Sequence, residues 1–597
     1  MHFNSLQAVL LLALLPHTLG QVEPTRVYLP PPATSATAAS DPSNPVNEQW
    51  NNILGNALYF FDIQRSGRLP ENFRVDWRND SVLADGSDVG LDLSGGFFDA
   101  GNYIKATLPL CWVVTQLSWG AAMFGRGFDA ADQTAYLDET LRTGLDWLLE
   151  ASSKDGELVV LIGNEDSYWG GDLSIPSKRP SFRVTRQKPG TDVFGSCASA
   201  FASASLLYNG TALPLSRSEN GTVPSLKNST YAKTLLDRGK SLFELAKTAT
   251  PQQVYQKATD GVEWAYASSD FVDELVFSST FLALATGDKT YADYAQQTYK
   301  SSGYPVTDGA VNWDQRAPAT PFLLAQLALS QPNLGVDFSK YQSDTEGWMD
   351  RITGGIMSKT LTTKGGLFWF EGDSDAASLN PALNVATIML MYSGLASSTS
   401  KSTRYRTFAQ SQIDYVLGKN PMNVVYPAGT HPNSPKNPQS ALASGGSDAD
   451  NIDNDPPVEA HVLYGGVVGG PDKNDMYYDQ RSDWKQTEVA LDYQPPLLII
   501  AAHQIATNAS DPYYVKGMGA VVTPTKGGRG SGGEGGGLST GAKVGIAVSI
   551  VVGVLLLAAI AFWKRNQILV LCGRGRSDKK IRHTRSASGE RLNLGSM

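Results

Sequence analysis

Two stretches of this chain carry carboxylates in settings from which a loop could present them to a substrate. The first is Asp92-Leu93-Ser94-Gly95-Gly96-Phe97-Phe98-Asp99-Ala100-Gly101-Asn102-Tyr103-Ile104-Lys105, a glycine-rich turn that offers Asp99 just before a helical pattern. The second is Asn474-Asp475-Met476-Tyr477-Tyr478-Asp479-Gln480-Arg481-Ser482-Asp483-Trp484, which runs on into Thr487-Glu488-Val489-Ala490-Leu491-Asp492-Tyr493. Acids beside aromatic rings suit glycoside cleavage. One carboxylic acid protonates the leaving oxygen, and a second carboxylate across the bond activates water or attacks carbon. Read alone, each stretch also fits a solvated acidic loop.

Other chemistries find less to work with. Asp448, Asp450, Asp453 and Asp455 form a cluster of the oxygen ligands that Ca²⁺ takes, although a solvated loop is the plainer account. We expect no required cofactor or metal, with structural calcium left as an open option. Trp169, Trp369 and Trp484 offer flat apolar faces suited to stacking on sugar rings, or to an ordinary core. His461 and His503 show no metal-ligand arrangement, and no Ser/His/Asp grouping or phosphate-cradling loop stands out. Cys111 and Cys197 could pair or remain buried thiols, Cys572 stands apart as a candidate for palmitoylation, and the three lack zinc-ligand spacing.

The elements that must hold these acids are mainly helical. Leu137, Leu141, Leu145 and Leu148 share one helical face, as do Leu235, Leu236, Leu242, Phe243 and Ala246. Further helices are expected near 51–64, 108–124, 197–208, 271–285, 291–300, 321–330, 382–395, 405–417 and 487–507. The last would place Glu488 at the opening of a strongly apolar helix, where partial burial would raise its pKa. Strand-like alternation is scarce, so glycine- and aspartate-rich connections build the site.

The ends set the organisation. Residues 1–20 read as a secretory signal peptide around the apolar run Ala8 to Leu15. Residues 21–45 are rich in Pro, Thr, Ala and Ser and are expected to form an extended leader too poor in apolar surface to pack. A body spans 46–525, and a glycine-rich linker spans 526–543. The apolar stretch 544–563 has the length of a transmembrane helix, and a basic tail follows at 564–597. That tail holds nine basic and two acidic residues, net +7, so the rest of the chain carries −16 of the total −9. The asymmetry predicts a type I orientation at the cell membrane, with the body outside and the bilayer as a partner. An acidic body repels phosphate backbones, which argues against nucleic acid. Asn-x-Ser/Thr sequons begin at Asn79, Asn209, Asn220, Asn228 and Asn508, all on the expected outer side, which predicts a glycoprotein.

With these residues in view, the chain resembles glycoside hydrolase family 9, the endoglucanases with an (α/α)6 barrel, and most of all fungal members with a C-terminal membrane anchor. Both acidic stretches look like that family's active-site segments. Gln64-Arg65-Ser66-Gly67-Arg68-Leu69-Pro70, Asp76-Trp77-Arg78, Pro189-Gly190-Thr191-Asp192, Asp273-Glu274-Leu275, Trp313-Asp314 and Leu417-Gly418-Lys419-Asn420-Pro421 fall in family order, so the likeness covers about 51–508. It implies Glu488 as general acid, Asp479 as the second carboxylate of that signature, and Arg481 and Trp484 as substrate-contacting residues between them. Trp169 joins them as a candidate sugar platform.

Three positions depart from the family pattern. Where the resemblance implies a second aspartate acting as base, this chain has Asn102, whose amide orients water but takes no proton at neutral pH. Gln439 stands where a substrate-contacting His is usual, and Gln494-Pro495 replaces Asn and a small residue. The leading expectation is endo-acting, inverting hydrolysis of β-1,4-glucan with Glu488 as acid and Asp99 as the remaining carboxylate near water. The runner-up is a membrane-tethered glucan-binding or wall-organising protein that has lost turnover through Asn102. A hemicellulose or lichenan hydrolase is a third reading.

Overall fold

The computed structural model describes residues 21–163, 168–303 and 308–518. The expected signal peptide, the glycine-rich linker 526–543, the transmembrane segment 544–563 and the basic tail lie outside the described residues. Among those described, no helix is long and apolar enough to cross a membrane.

Among the described residues, twelve helices of eleven residues or more carry the body. In chain order they are α1 (Glu48–Gln64), α2 (Thr107–Ala130), α3 (Thr134–Ala151), α4 (Thr191–Tyr208), α5 (Ser229–Thr248), α6 (Val272–Thr286), α7 (Lys289–Ser301), α8 (Thr320–Ser330), α9 (Phe338–Thr353), α10 (Leu379–Tyr392), α11 (Thr399–Val416) and α12 (Gln494–Ala506). The even-numbered helices are buried nearly all round, as α4 is from Thr191 to Tyr208. The later odd-numbered ones, α5, α7, α9 and α11, bury one face each; α5 covers only Ala232, Leu235, Gly239, Leu242, Phe243, Leu245 and Ala246. That division makes an inner and an outer ring. Within the inner ring α2 packs on α4, α4 on α6, α6 on α8, α10 on α12, and α12 returns to α2. Phe322 of α8 meets Tyr392 of α10 edge to face at 5.5 Å and links the remaining pair. The result is an (α/α)6 barrel, as expected.

Glycines let inner helices approach closely. A Cβ on Gly120 would overlap the Ile499 side chain of α12, and one on Gly127 would overlap the Ala502 carbonyl oxygen. Strands are short. Residues Lys105–Ala106, Glu157–Ile162 and Ser181–Thr185 form an antiparallel three-stranded sheet beside the start of α2, and Thr360–Thr362 pairs with Phe368–Phe370.

Helix α9 was not anticipated. Its sequence, FSKYQSDTEGWMDRIT, is polar on most of its turns, and its start is marked only by Asp337, whose side chain caps Lys340 N at 3.1 Å. The leader also corrects an expectation, because it packs. Ala36 is buried, Val22 N donates to Asp138 at 2.9 Å, and the Tyr28 hydroxyl donates to Asn56 Oδ1 at 2.8 Å. The Tyr28 ring lies over Gly55, where a Cβ would collide with it. The leader needs little apolar surface of its own, because α1 and α3 supply the partner groups. Cys111 of α2 and Cys197 of α4 are both buried free thiols.

Candidate active site

The Asp99 turn sits where α1 hands over to α2, and buried side chains lock it. Gln64, the last residue of α1, donates its amide to Phe98 O at 3.1 Å and Ala100 O at 2.8 Å. Asp99 N closes the turn onto Ile104 O at 2.9 Å. Lys105 donates to Leu93 O and Ser94 O at 2.8 Å and pairs with Asp85 at 3.0 Å. Burial pulls that ammonium down to about 8, with Asp85 opposing. Half-buried Asn102 turns its Oδ1 to accept from Ile104 N at 3.2 Å.

Glu488 reaches this turn from the far end of the chain. The expected helix from 487 does not form. Trp484–Thr487 makes a single turn, Glu488 is extended at φ −63° and ψ 143°, and α12 begins only at Gln494. Pro495 and Pro496 explain the delay, because proline is tolerated in a first helical turn but breaks an interior. Half-buried Glu488 instead lies alongside Gln439 in a parallel bridge, with Gln439 N donating to Thr487 O at 2.8 Å. Ala441 N donates to Gly101 O at 2.8 Å, and Leu491 N to Asp99 O at 2.9 Å. These bonds stitch the three segments together. A Cβ on Gly101 would overlap Gln439 O and stand 3.5 Å from Glu488 Oε1, so only glycine fits beneath the acid.

Three carboxylates converge here. Asp99 is 1% exposed, and its Oδ2 accepts from the Tyr266 hydroxyl, while Oδ1 is buried without a hydrogen-bond partner among the described residues. Burial pushes this carboxyl well above the usual range; the Tyr266 bond opposes, and the like charges of Asp492 and Glu488 add to the rise. Asp492, also buried, is pushed up to about 7 by desolvation despite an amide donated by Asn380 at 2.6 Å. The phenols of Tyr266 and Tyr493 are raised by burial and by these same three acids. Tyr266 further meets Trp313 edge to face at 4.9 Å.

Sequence reasoning gave no role to Asp492, Tyr266 or Tyr493. An aspartate inside the apolar run Val489-Ala490-Leu491-Asp492-Tyr493 is itself a signal, since a buried acid needs a reason. Tyr266 carries none, lying 167 residues from Asp99 in sequence.

The remaining expected site residues are brought near, and each has partners of its own within the protein. Asp479 is buried at φ +50° and accepts from Lys436 N at 2.9 Å, Asn437 N at 3.1 Å, Asn437 Nδ2 at 3.3 Å and the Tyr477 hydroxyl at 3.3 Å. Its oxygens thus secure the segment leading to Gln439. Arg481, 1% exposed, pairs with Glu459 at 2.8 Å and donates to Ile452 O at 2.5 Å and Pro456 O at 2.7 Å. It anchors a cleft-side loop rather than offering itself to a ligand. Trp169 is buried with Phe98, Tyr103, Ala441 and Leu442, and Gly446 lies against its indole nitrogen, so it shapes a wall instead of an open platform. Trp369 is core, whereas Trp484 is 45% exposed.

The aspartate cluster closes its own loop. Asp453 accepts from Ser482 N at 3.0 Å, Asp455 from Ser447 N and Asp448 N at 2.8 Å, and Asp448 from Asp450 N at 3.0 Å. Among the described residues no group of three or more His, Cys, Asp or Glu side chains is gathered to hold a metal ion.

Comparison with known proteins bears on this geometry. A family model described as Glycosyl hydrolase family 9 matches residues 50–501. Endoglucanase 14 of Arabidopsis thaliana is 32% identical over 470 residues, covering 74% of this chain and 91% of its own length. Endoglucanase A of Bacillus pumilus is 32% identical over 454 residues, of which this chain spans 64% of the relative's length. Among solved structures, the endoglucanase of the termite Nasutitermes takasagoensis superposes with a TM-score of 0.67 at 31% identity, over 77% of this chain and 99% of that one. Endoglucanase CelQ of Clostridium thermocellum, solved with cellobiose and cellotriose, gives 0.65 at 29% identity over 78% and 72%.

Proposed function

The chain belongs to glycosyl hydrolase family 9, and from that membership we propose that it hydrolyses β-1,4-glucan within the chain, with inversion at the anomeric carbon. The single observation that carries the reading is the seating of Glu488 against the glycine of the Asp99–Asn102 turn. Glu488 is the acid for the leaving oxygen, and Asp99 is the carboxylate nearest the place of the attacking water. Asn102 orients that water through its amide. Trp313 and the exposed Trp484 supply apolar faces for sugar rings.

The test is release of reducing ends from carboxymethyl-cellulose, with the anomer of the first product read by proton NMR. New β-product would overturn the inverting assignment. Binding of cello-oligosaccharide without any turnover would replace the hydrolase reading with that of a glucan-binding protein.

We further propose that segments 1–20 and 544–563 export the body and anchor it outside the cell, on the strength of their apolar runs and the basic flank. Protease added to intact cells then removes an epitope near Asn220 and spares one after Arg585; the reverse pattern would refute the orientation.

A further inference from the structure

A chain of three buried amides links the inner helices α2 and α10 and ends on one carboxylate. Gln116 of α2 donates its Nε2 to Asn384 Oδ1 at 2.6 Å. Asn384 of α10 donates its Nδ2 to Asn380 Oδ1 at 2.6 Å, one helical turn earlier. Asn380 in turn donates its Nδ2 to Asp492 Oδ2 at 2.6 Å. None of the four residues is more than 4% exposed. Each amide oxygen after the first is occupied by the preceding N–H, so each amide must present its own N–H to the next residue. The chain therefore has a direction, and every donor points toward Asp492.

Such an arrangement needs a reason in an apolar barrel. Polar side chains buried among Leu, Ile and Phe lose their water, and Gln116 Oε1 has no hydrogen-bond partner among the described residues. Hydrogen bonds in series polarise one another, and a chain of donors ending on an oxygen favours negative charge there. Asp492 is fixed against the Asp99 turn by its neighbour, since Leu491 N donates to Asp99 O at 2.9 Å.

We propose that Asp492 is a positioning residue of the site, a carboxylate held by the Gln116–Asn384–Asn380 amide chain whose charge sets the proton occupancy of Asp99. It does not touch substrate in this account and acts only through Asp99. The consequence for catalysis rests on the hydrolase reading, whereas the test of the pairing does not.

The groups that face Asp99 are few. Tyr266 donates to it from the segment before α6, Glu488 and Asp492 approach from the segment before α12, and Tyr493 lies within the field of all three acids. Asn102, on its own turn, carries no charge. With an amide at the position where the family resemblance implies a base, Asp99 is the carboxylate of that turn, so what sets its protonation sets how much base the turn can offer. Removing the charge of Asp492 leaves Glu488 as the remaining like charge beside Asp99, and Asp99 then ionises at lower pH. Loss of Asn384, two links away, weakens the hold on Asp492 and acts in the same direction to a smaller extent.

The experiment is an isotope-edited infrared titration of the full-length protein carrying ¹³C-carboxyl aspartate. The Asp99 band is identified by its disappearance in Asp99→Asn. In Asp492→Asn the midpoint of that band falls by about one pH unit or more, the size expected for loss of a neighbouring like charge. In Asn384→Ala it falls by less. Asn384→Ala also serves as the reading if Asp492→Asn does not fold. A midpoint that stays put in a folded variant of either kind overturns the proposal, because a purely structural aspartate would change stability without moving Asp99. Where the protein hydrolyses glucan, the acid limb of the kcat profile moves down with the midpoint while KM holds. A shifted midpoint in a protein without turnover in any variant sustains the proposal and removes the hydrolase reading.

Discussion

Gly101 lets the Gln439 backbone close onto the Asp99 turn, which seats Glu488 beside it, and this contact makes the chemistry at the neighbouring residues testable one at a time. Glu488→Gln keeps the shape of the side chain and its bridge to Gln439 but cannot donate a proton as an acid does. We expect hydrolysis to fall by roughly 10² to 10⁴, the usual worth of general acid catalysis, with cello-oligosaccharide affinity held within a few-fold. Unchanged turnover would take Glu488 out of the mechanism. Asn102→Asp bears on the opposite side of the bond. Asn102 Oδ1 accepts from Ile104 N at 3.2 Å, and an aspartate oxygen can keep that bond while adding a proton acceptor. The variant should therefore raise the rate on β-1,4-glucan, by up to roughly the same general-base factor. A small gain, accompanied by collapse in Asp99→Ala, would assign the base to Asp99 instead. Silence in both the natural protein and a folded Asn102→Asp would show that this position does not limit the reaction, and Gln439, beside Glu488, would be examined next.

The helices were legible where apolar residues recur at helical spacing, as along Leu137, Leu141, Leu145 and Leu148 of α3. They were lost where tertiary packing rather than pattern decides, as in polar α9. The start of α12 was misread because the apolar run from Val489 onward outweighed the punctuation of Pro495-Pro496, which marks the true first turn at Gln494. That error placed Glu488 on a helix when it belongs to an extended segment tied to Gln439. Of the site, the Asp99 turn and Glu488 were legible as motifs. Asp479 and Arg481 were legible as positions but not as tasks, since only their buried partners reveal that they hold loops. Tyr266 was beyond reach, because contact across 167 residues leaves no local trace. The packing of α2 on α12 gives an element-scale prediction. A Cβ on Gly127 would meet the Ala502 carbonyl, and backbone cannot swing aside as a side-chain tip can. Gly127→Ala should cost about 1–3 kcal/mol through overpacking, even though alanine favours helix more than glycine does. Thermal melts that show the variant equal to or more stable than the natural protein would mean that the two helices can separate at little cost.

At the scale of the whole molecule, the barrel buries acids at the end where its inner helices begin, and this has a consequence for stability. Asp192, Glu459 and Asp492 are pushed up to about 7, and Asp99 and Glu274 well above their ordinary range, with burial the first cause in every case. A carboxyl raised in the folded state contributes stability that is complete below its unfolded value near 4 and is lost as pH rises through the folded value. Two buried histidines act in the opposite sense. His431 and His503 are lowered by burial to about 4, so their contribution is complete above the unfolded value near 6.5 and is lost as pH falls. Glu139, Asp270, Asp314 and Asp373 are also raised by burial and His461 is lowered by it, so between pH ~5 and ~6.5 the raised carboxyls outweigh the lowered imidazoles, and above ~6.5 the imidazoles no longer oppose them. Carboxyls lowered by basic and hydroxyl partners, such as Glu346 and Asp350 beside Lys401, titrate below this window. Lys105, at about 8, loses its proton above it. The protein should therefore melt at a higher temperature near pH ~5 than near pH ~7.5, with the steepest loss around neutrality. In Asp192→Asn, which removes one of the raised carboxyls while leaving an oxygen to accept from Val193 N or Tyr255 N, the slope should be shallower. A melting temperature that is flat or rises from pH ~5 to ~7.5 would mean that these acids stay ionised in the folded barrel, and the raised Asp99 carboxyl would have to be abandoned with them.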